Sequence, residues 1–317
     1  STPKPSSAAS DVYKRQGQNG TGKTSLLKMI YAACEWSNEK IYQNKSKDIF
    51  SYFSHGKKDI ESLKNYENKD SNSYYKVKNE ENIFNYSLSE DKVIDFNQWE
   101  NLSIKSVFIP TTEMLSHARG FLAMNQKYNM PFDATQIDII VNAELPEIRK
   151  VSSLNKKLLD ILSNIIDGKV IYENDTFYVV KSNGMKIEFS FEAEGLRKFG
   201  LLWKLLRNGL LEKDTILLWD EPEANVNPEL MPTLVEIILE LQKNGVQVFI
   251  ATHNYNLAKY FEIKRTDNNI VLYHNLYKTN NGVKSESSEY FGKIKNNPII
   301  EADSKLLDEV IEGNFEE

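Results

Sequence analysis

Hydrophobic positions recur at helical spacing in some stretches of this chain and alternate in others, and the switches between the two mark its elements. From Thr24 to about Lys40, Leu27, Ile30, Tyr31 and Cys34 fall on one face of a helix that would pack on a sheet. Between residues 41 and 105 the spacing shortens to alternation. Tyr74–Lys78, Ile83–Tyr86 and Val93–Phe96 predict strands of an antiparallel sheet, in a stretch rich in Lys, Asn, Ser and Tyr. Ser106–Pro110 reads as a buried strand ended by proline. Residues 114–168 return to helical spacing, interrupted near Pro131. There Leu154, Leu158, Leu159, Leu162 and Ile166 form a stripe that could cap or dimerise, with core packing the plainer reading. Residues 169–191 alternate again, with Asn183-Gly184 as a hairpin turn.

From Gly195 the pattern tightens. Leu196, Phe199, Trp203, Leu206 and Leu210 mark a helix with one buried face. Thr215–Trp219 is continuously apolar, as a strand buried on both sides requires. Asn227 then caps a helix with Pro228 at its first position and Leu230, Leu234, Ile237, Ile238 and Leu241 as its stripe, ended by Gly245. Val246–Ile250 is the next buried strand. A further strand near Ile270–Tyr273, a turn at Asn280–Gly282 and a helix from about Asp303 to Ile311 complete the chain. Strand and helix alternating in this way predict an α/β fold with a mostly parallel sheet flanked by helices. An antiparallel β subdomain (41–105) and a helical insertion (114–168) interrupt it, and 195–262 forms its second half.

Composition narrows the class. At 317 residues, with 40% hydrophobic and 26% charged, the chain can bury a large core. No apolar run approaches the roughly 20 residues that cross a bilayer, so no membrane contact is expected. A net charge of −6 gives no general attraction to nucleic acid, and the interleaved Lys and Tyr of the β subdomain read more simply as a solvated face than as a DNA surface. The single cysteine, Cys34, sits among apolar neighbours, excludes an internal disulfide and fits a reducing cytoplasm. Residues 1–16 stand apart. Asp11-Val12-Tyr13-Lys14-Arg15-Gln16 resembles the in-frame translation of a transposon mosaic-end adapter, and the Ser/Ala/Pro-rich run before it has no periodicity. The expectation is a native sequence that begins at about Gly17, in a domain spanning 17–317, with its first strand absent.

The chemistry concentrates in a few short stretches. Gly17-Gln18-Asn19-Gly20-Thr21-Gly22-Lys23-Thr24 fits the phosphate-loop pattern G-x-x-x-x-G-K-[ST] at every fixed position, and Ser25 follows it into the helix. Glycines allow successive backbone N–H groups to turn inward around phosphates, and the following helix adds the positive end of its dipole. Lys23 would reach the β- and γ-phosphates of ATP, and Thr24 would offer its hydroxyl to Mg²⁺. Asp220-Glu221, directly after the buried strand, form a Walker B pattern. Asp220 would hold Mg²⁺, and Glu221 would orient or deprotonate the attacking water. His253 ends the next strand, where it could contact the γ-phosphate.

Together Gly17–Thr24, Asp220-Glu221-Pro222 and Ala251-Thr252-His253-Asn254 resemble ABC-type ATPases of the soluble branch. That branch contains the SMC, RecF and overcoming-lysogenization-defect proteins, often described as AAA-family ATPases. The resemblance implies a P-loop NTPase that hydrolyses ATP with Mg²⁺. It implies a sandwich homodimer on ATP binding, in which each nucleotide lies between one subunit's phosphate loop and the other's signature helix. It further implies a role in DNA maintenance, anti-phage defence or a toxin–antitoxin-like system, with an effector protein or DNA as partner. Departures are local. The signature position reads Ala193-Glu194-Gly195-Leu196-Arg197-Lys198, without the family's serine; Glu194, Gly195 and Arg197 are its candidates, with Arg197 or Lys198 as a replacement phosphate contact. Asn227 stands where the family carries Asp, and Glu113 is the nearest candidate for the γ-phosphate-sensing lever. A scaffold gated by ATP with little turnover remains an alternative. A transporter's nucleotide-binding subunit is the weaker one, because a long insertion separates Lys23 from Asp220. Without a first strand, the loop would bind ATP poorly.

Overall fold

The computed structural model describes residues 11–17, 21–38, 49–53, 74–88, 90, 92–95, 98–128, 130–279 and 282–313. Strand β1 (Asp11–Gly17) leads to helix α1 (Lys23–Trp36), whose N-cap Gly22 has φ +81°, a left-handed conformation that a side chain would resist. Strands β2 (Tyr74–Asn79), β3 (Asn82–Ser87) and β4 (Lys92–Asp95) form an antiparallel sheet of their own. β5 (Lys105–Ile109) precedes α2 (Phe121–Tyr128), α3 (Ala134–Glu144) and α4 (Ser153–Ile166). The expected break near Pro131 is sharpened by Asp133, which caps α3 in a reciprocal box with Gln136.

A second antiparallel sheet follows, of β6 (Gly168–Glu173), β7 (Thr176–Lys181) and β8 (Lys186–Glu188). The rest of the chain runs through α5 (Glu194–Arg207), β9 (Thr215–Asp220), α6 (Met231–Lys243) and β10 (Gln247–Thr252). It ends in α7 (Tyr255–Lys264), β11 (Ile270–Thr279), β12 (Gly282–Ser288) and α8 (Pro298–Gly313).

The main sheet has six strands in the order β12-β11-β1-β10-β9-β5, all parallel except β12. Period-two alternation splits its side chains between two cores. Val107, Ile109, Leu217, Trp219, Val248 and Ile250 face the larger core, which α5 and α6 cover. Phe108, Leu218 and Ala251 face the smaller one, under α1 and the β2–β4 sheet. Leu217, Leu218, Trp219, Val248 and Ile250 are fully buried, and each such side chain contributes about 1.5–3 kcal/mol of transfer free energy. Pairing aligns Gln16 with Thr252, Ala251 with Asp220, and Trp219 with Ile109. The C-terminal ends of β1, β10, β9 and β5 therefore meet along one edge.

Several expectations are corrected. Where the native first strand is expected to be absent, the adapter-like stretch itself is a strand: Asp11–Gly17 fills the slot between β10 and β11. Its ladder bonds are made by backbone groups, which any non-proline sequence supplies, so few strand-forming residues suffice. The first helix ends at Trp36, where the Ser37 N–H bonds back to the Cys34 carbonyl. Leu210 lies beyond α5, which ends at Arg207. Asn227 caps a 3₁₀ turn, Pro228–Leu230, ahead of α6. The last helix starts earlier, at Pro298. The region 169–191 holds three strands, with a second hairpin turn at Asn174-Asp175, both at positive φ. Residues 39–48 and 54–73 of the β subdomain's surroundings, Phe96, and the expected turn at Asn280-Asn281 lie outside the described residues. On α4, Leu158, Leu159, Leu162 and Ile166 are buried while Leu154 is exposed, so this stripe packs in the core.

Candidate functional site

The sheet edge gathers the phosphate-loop helix, the Walker B residues and His253. Gly17 ends β1; Gln18, Asn19 and Gly20 lie outside the described residues. Thr21 and Lys23 are buried, and Thr24 and Ser25 occupy the first turn of α1. The Thr24 hydroxyl lies 3.1 and 3.0 Å from the two carboxylate oxygens of Asp220. Thr111, two residues past β5, donates to the same carboxylate at 2.9 Å. Asp220 is 6% exposed, and its burial raises the carboxyl above its ordinary value; the hydroxyls of Thr111 and Thr24 pull it part of the way back.

Glu221 follows with φ +48°, a conformation costing a non-glycine residue roughly 1–2 kcal/mol. Its N–H donates to the Ala251 carbonyl at 2.9 Å, and its own carbonyl accepts the Lys198 ammonium, also at 2.9 Å. The Glu221 side chain meets His253 Nδ1 at 3.0 Å. An ionised carboxylate only accepts, so Nδ1 donates in this contact and Nε2 is left as the acceptor when the ring is neutral. Glu223, buried two residues on, accepts the Thr252 hydroxyl.

Two buried lysines oppose these acids. Burial lowers Lys23 below its ordinary value, against the pull of Glu221, Asp220 and Glu223. Burial likewise pushes Lys198 down to about 8, against Glu223, Glu194, Glu221 and Asp220. Lys23 thus lies within the electrostatic reach of three acids, Glu221, Asp220 and Glu223. Thr24 and Asp220 present hydroxyl and carboxylate oxygens, the hard donors that Mg²⁺ takes. Among the described residues no cluster of three or more His, Cys, Asp or Glu forms a separate metal cage.

The signature-like stretch begins α5. Gly195 packs so closely on the loop after β9 that a Cβ would come within 2.6 Å of the Asn225 carbonyl oxygen. Glu194 accepts from the Asn225 side chain at 2.7 Å. Arg197 is paired with the buried Glu113 at 3.0 Å, and Lys198 reaches Glu221; both side chains are therefore engaged within the subunit. Glu113 also accepts the Leu115 N–H at 2.5 Å. In that loop the residue touching Asp220 is Thr111, which sequence reasoning missed. Its signal, a hydroxyl just past Pro110, acquires meaning only once β5 is known to lie beside β9.

The profile of the family described as "AAA domain, putative AbiEii toxin, Type IV TA system" matches residues 35–259. The chain belongs to this family. Among curated proteins, this AAA-domain chain is similar to the arginine transport ATP-binding protein ArtP of Haemophilus influenzae, at 41% identity over 54 residues, 17% of the chain and 22% of ArtP. It is also similar to the probable branched-chain amino acid transport ATP-binding protein LivG of Archaeoglobus fulgidus, at 24% identity over 184 residues, 54% of the chain and 66% of LivG. The chain thus matches only part of each relative's length. Among solved structures it is similar to an SMC head bound to the C-winged helix domain of ScpA. That likeness has a TM-score of 0.52 at 10% identity and covers 89% of this chain and 91% of the other. At this identity the likeness concerns the fold, which is that of a P-loop NTPase.

Proposed function

We propose that the protein hydrolyses ATP to ADP and phosphate with Mg²⁺, in a site completed by a second copy of the chain. The observation that carries this reading is the meeting of Thr24 and Asp220 within 3.1 Å, beside the Glu221–His253 pair, at the end of a parallel sheet. Lys23 and the amides around Gly22 bind the phosphate chain. Thr24 and Asp220 would hold Mg²⁺, with Thr111 orienting the carboxylate. The chemistry Mg²⁺ supplies when bound is neutralisation of charge on phosphate oxygens. Glu221 accepts the proton of the attacking water at its carboxylate, and His253 Nδ1–H keeps that carboxylate turned toward the site. The exposed start of α5, with Ala193 and Glu194 outward, offers backbone N–H groups to a phosphate on the second copy.

The role that fits best is DNA maintenance, anti-phage defence or a toxin–antitoxin-like system in the cytoplasm, with an effector protein or DNA as partner. The matched family's description favours the last. No helix among the described residues is long and apolar enough to cross a membrane. The second reading is an ATP-gated regulator with little turnover. The internal engagement of Arg197 and Lys198 supports it, because neither side chain is turned outward to a partner's nucleotide. Phosphate release by wild type and Glu221→Gln separates the two. The enzyme reading expects the variant to bind Mg·ATP normally while turning over roughly a hundredfold more slowly. Equal, near-zero rates in two proteins that both bind ATP would favour the regulator.

A further inference from the structure

We propose that Lys198 is a positioning residue that holds the Glu221 carboxylate in place through the Glu221 peptide, an inference resting on the reading of Glu221 as general base. The Lys198 Nζ donates to the Glu221 carbonyl at 2.9 Å from a residue only 3% exposed. The same carbonyl accepts the Ala224 N–H at 3.1 Å, and the Glu221 N–H is held by Ala251 at 2.9 Å. Both peptides flanking a glutamate at φ +48° are therefore fixed from outside. Side chains avoid this conformation unless the surroundings impose it. Beyond it, Glu223 is fastened to Thr252 at the end of β10, next to His253. The turn is thus anchored on both sides of the side chain that meets His253 at 3.0 Å. Burying an ammonium is costly, and an apolar side chain of equal length would fill the same space without that cost. A lysine here is explained by what its donor does to the Glu221 peptide. Lys198 follows Gly195 by three residues on α5, so a second copy docking at the start of that helix would bear on Glu221 through the same contact.

Lys198→Met keeps length and burial but removes the donor, and Lys198→Arg restores one. The expected result is that Lys198→Met lowers kcat for Mg·ATP roughly tenfold or more while the Kd for ATP stays within about threefold, with partial recovery in Lys198→Arg. A role confined to stability would lower melting temperature and leave kcat per folded molecule unchanged, and that result overturns the inference. Should Lys198→Met not fold, Lys198→Gln carries the test: reduced kcat at unchanged Kd supports the inference, and wild-type kcat overturns it. Glu221→Gln run in parallel separates the two claims. An inactive Glu221→Gln beside a fully active Lys198→Met overturns only the positioning role, whereas an active Glu221→Gln overturns both.

Discussion

Asp220 shows how one buried carboxylate organises its neighbours. It is raised by burial and receives two hydroxyl donors, Thr24 from the phosphate-loop helix and Thr111 from the loop after β5. Replacing Thr111 by Val keeps the shape and deletes one donor. A lost hydrogen bond to a charged, buried group costs about 1.5–3 kcal/mol. Thr111→Val should therefore melt at a lower temperature and need more Mg²⁺ for half-maximal hydrolysis; unchanged values in both measurements would remove Thr111 from the site. Asp220, Glu221 and His253 were legible as sequence because each comes within three residues of the end of an apolar run that reads as a strand. Thr111 and Lys198 were not legible in the same way. Their partners lie at Asp220 and Glu221, and only the sheet order and the packing of α5 bring them there.

Among the elements, α5 is fixed more tightly than its helical pattern suggested. Gly195, near its start, would meet the Asn225 carbonyl with any added Cβ, at 2.6 Å. Helix propensity favours alanine over glycine by up to about 1 kcal/mol, whereas forcing a backbone apart costs roughly 1–3 kcal/mol. Gly195→Ala should therefore be destabilising in thermal denaturation and should slow hydrolysis by shifting α5. Gly292→Ala, with nothing within 4 Å of its Cβ, should melt as wild type does. Equal melting of both variants would show that the close approach carries no strain. The helices and buried strands were legible because their apolar periodicity is strong. β1 was not, since Asp11–Gly17 carries little apolar signal and is held by backbone pairing to β10 and β11. β12 was hidden for a similar reason: Gly282–Ser288 is polar and joins the sheet only as its antiparallel edge.

On the scale of the whole molecule, two cores hold one sheet edge rigid while the catalytic candidates stand along it. Residues separated by most of the chain, Thr24 and Asp220 among them, reach hydrogen-bonding distance because β1, β10, β9 and β5 end together. The α/β class and the order of motifs were readable from the sequence. The strand order, which decides the neighbours of Asp220, was not, because long insertions separate β1, β5 and β9 in the chain. The start of α5 lies on the exterior with Glu194 exposed, and the proposed site is complete only when that surface meets a second nucleotide. The most direct test is steady-state phosphate release from ATP per subunit, measured across protein concentration with Mg²⁺ and with excess chelator. A composite Mg²⁺-dependent site predicts release that vanishes with chelator and a specific rate that rises with concentration to a plateau. No release above background at any concentration, from protein shown to bind ATP, would contradict it.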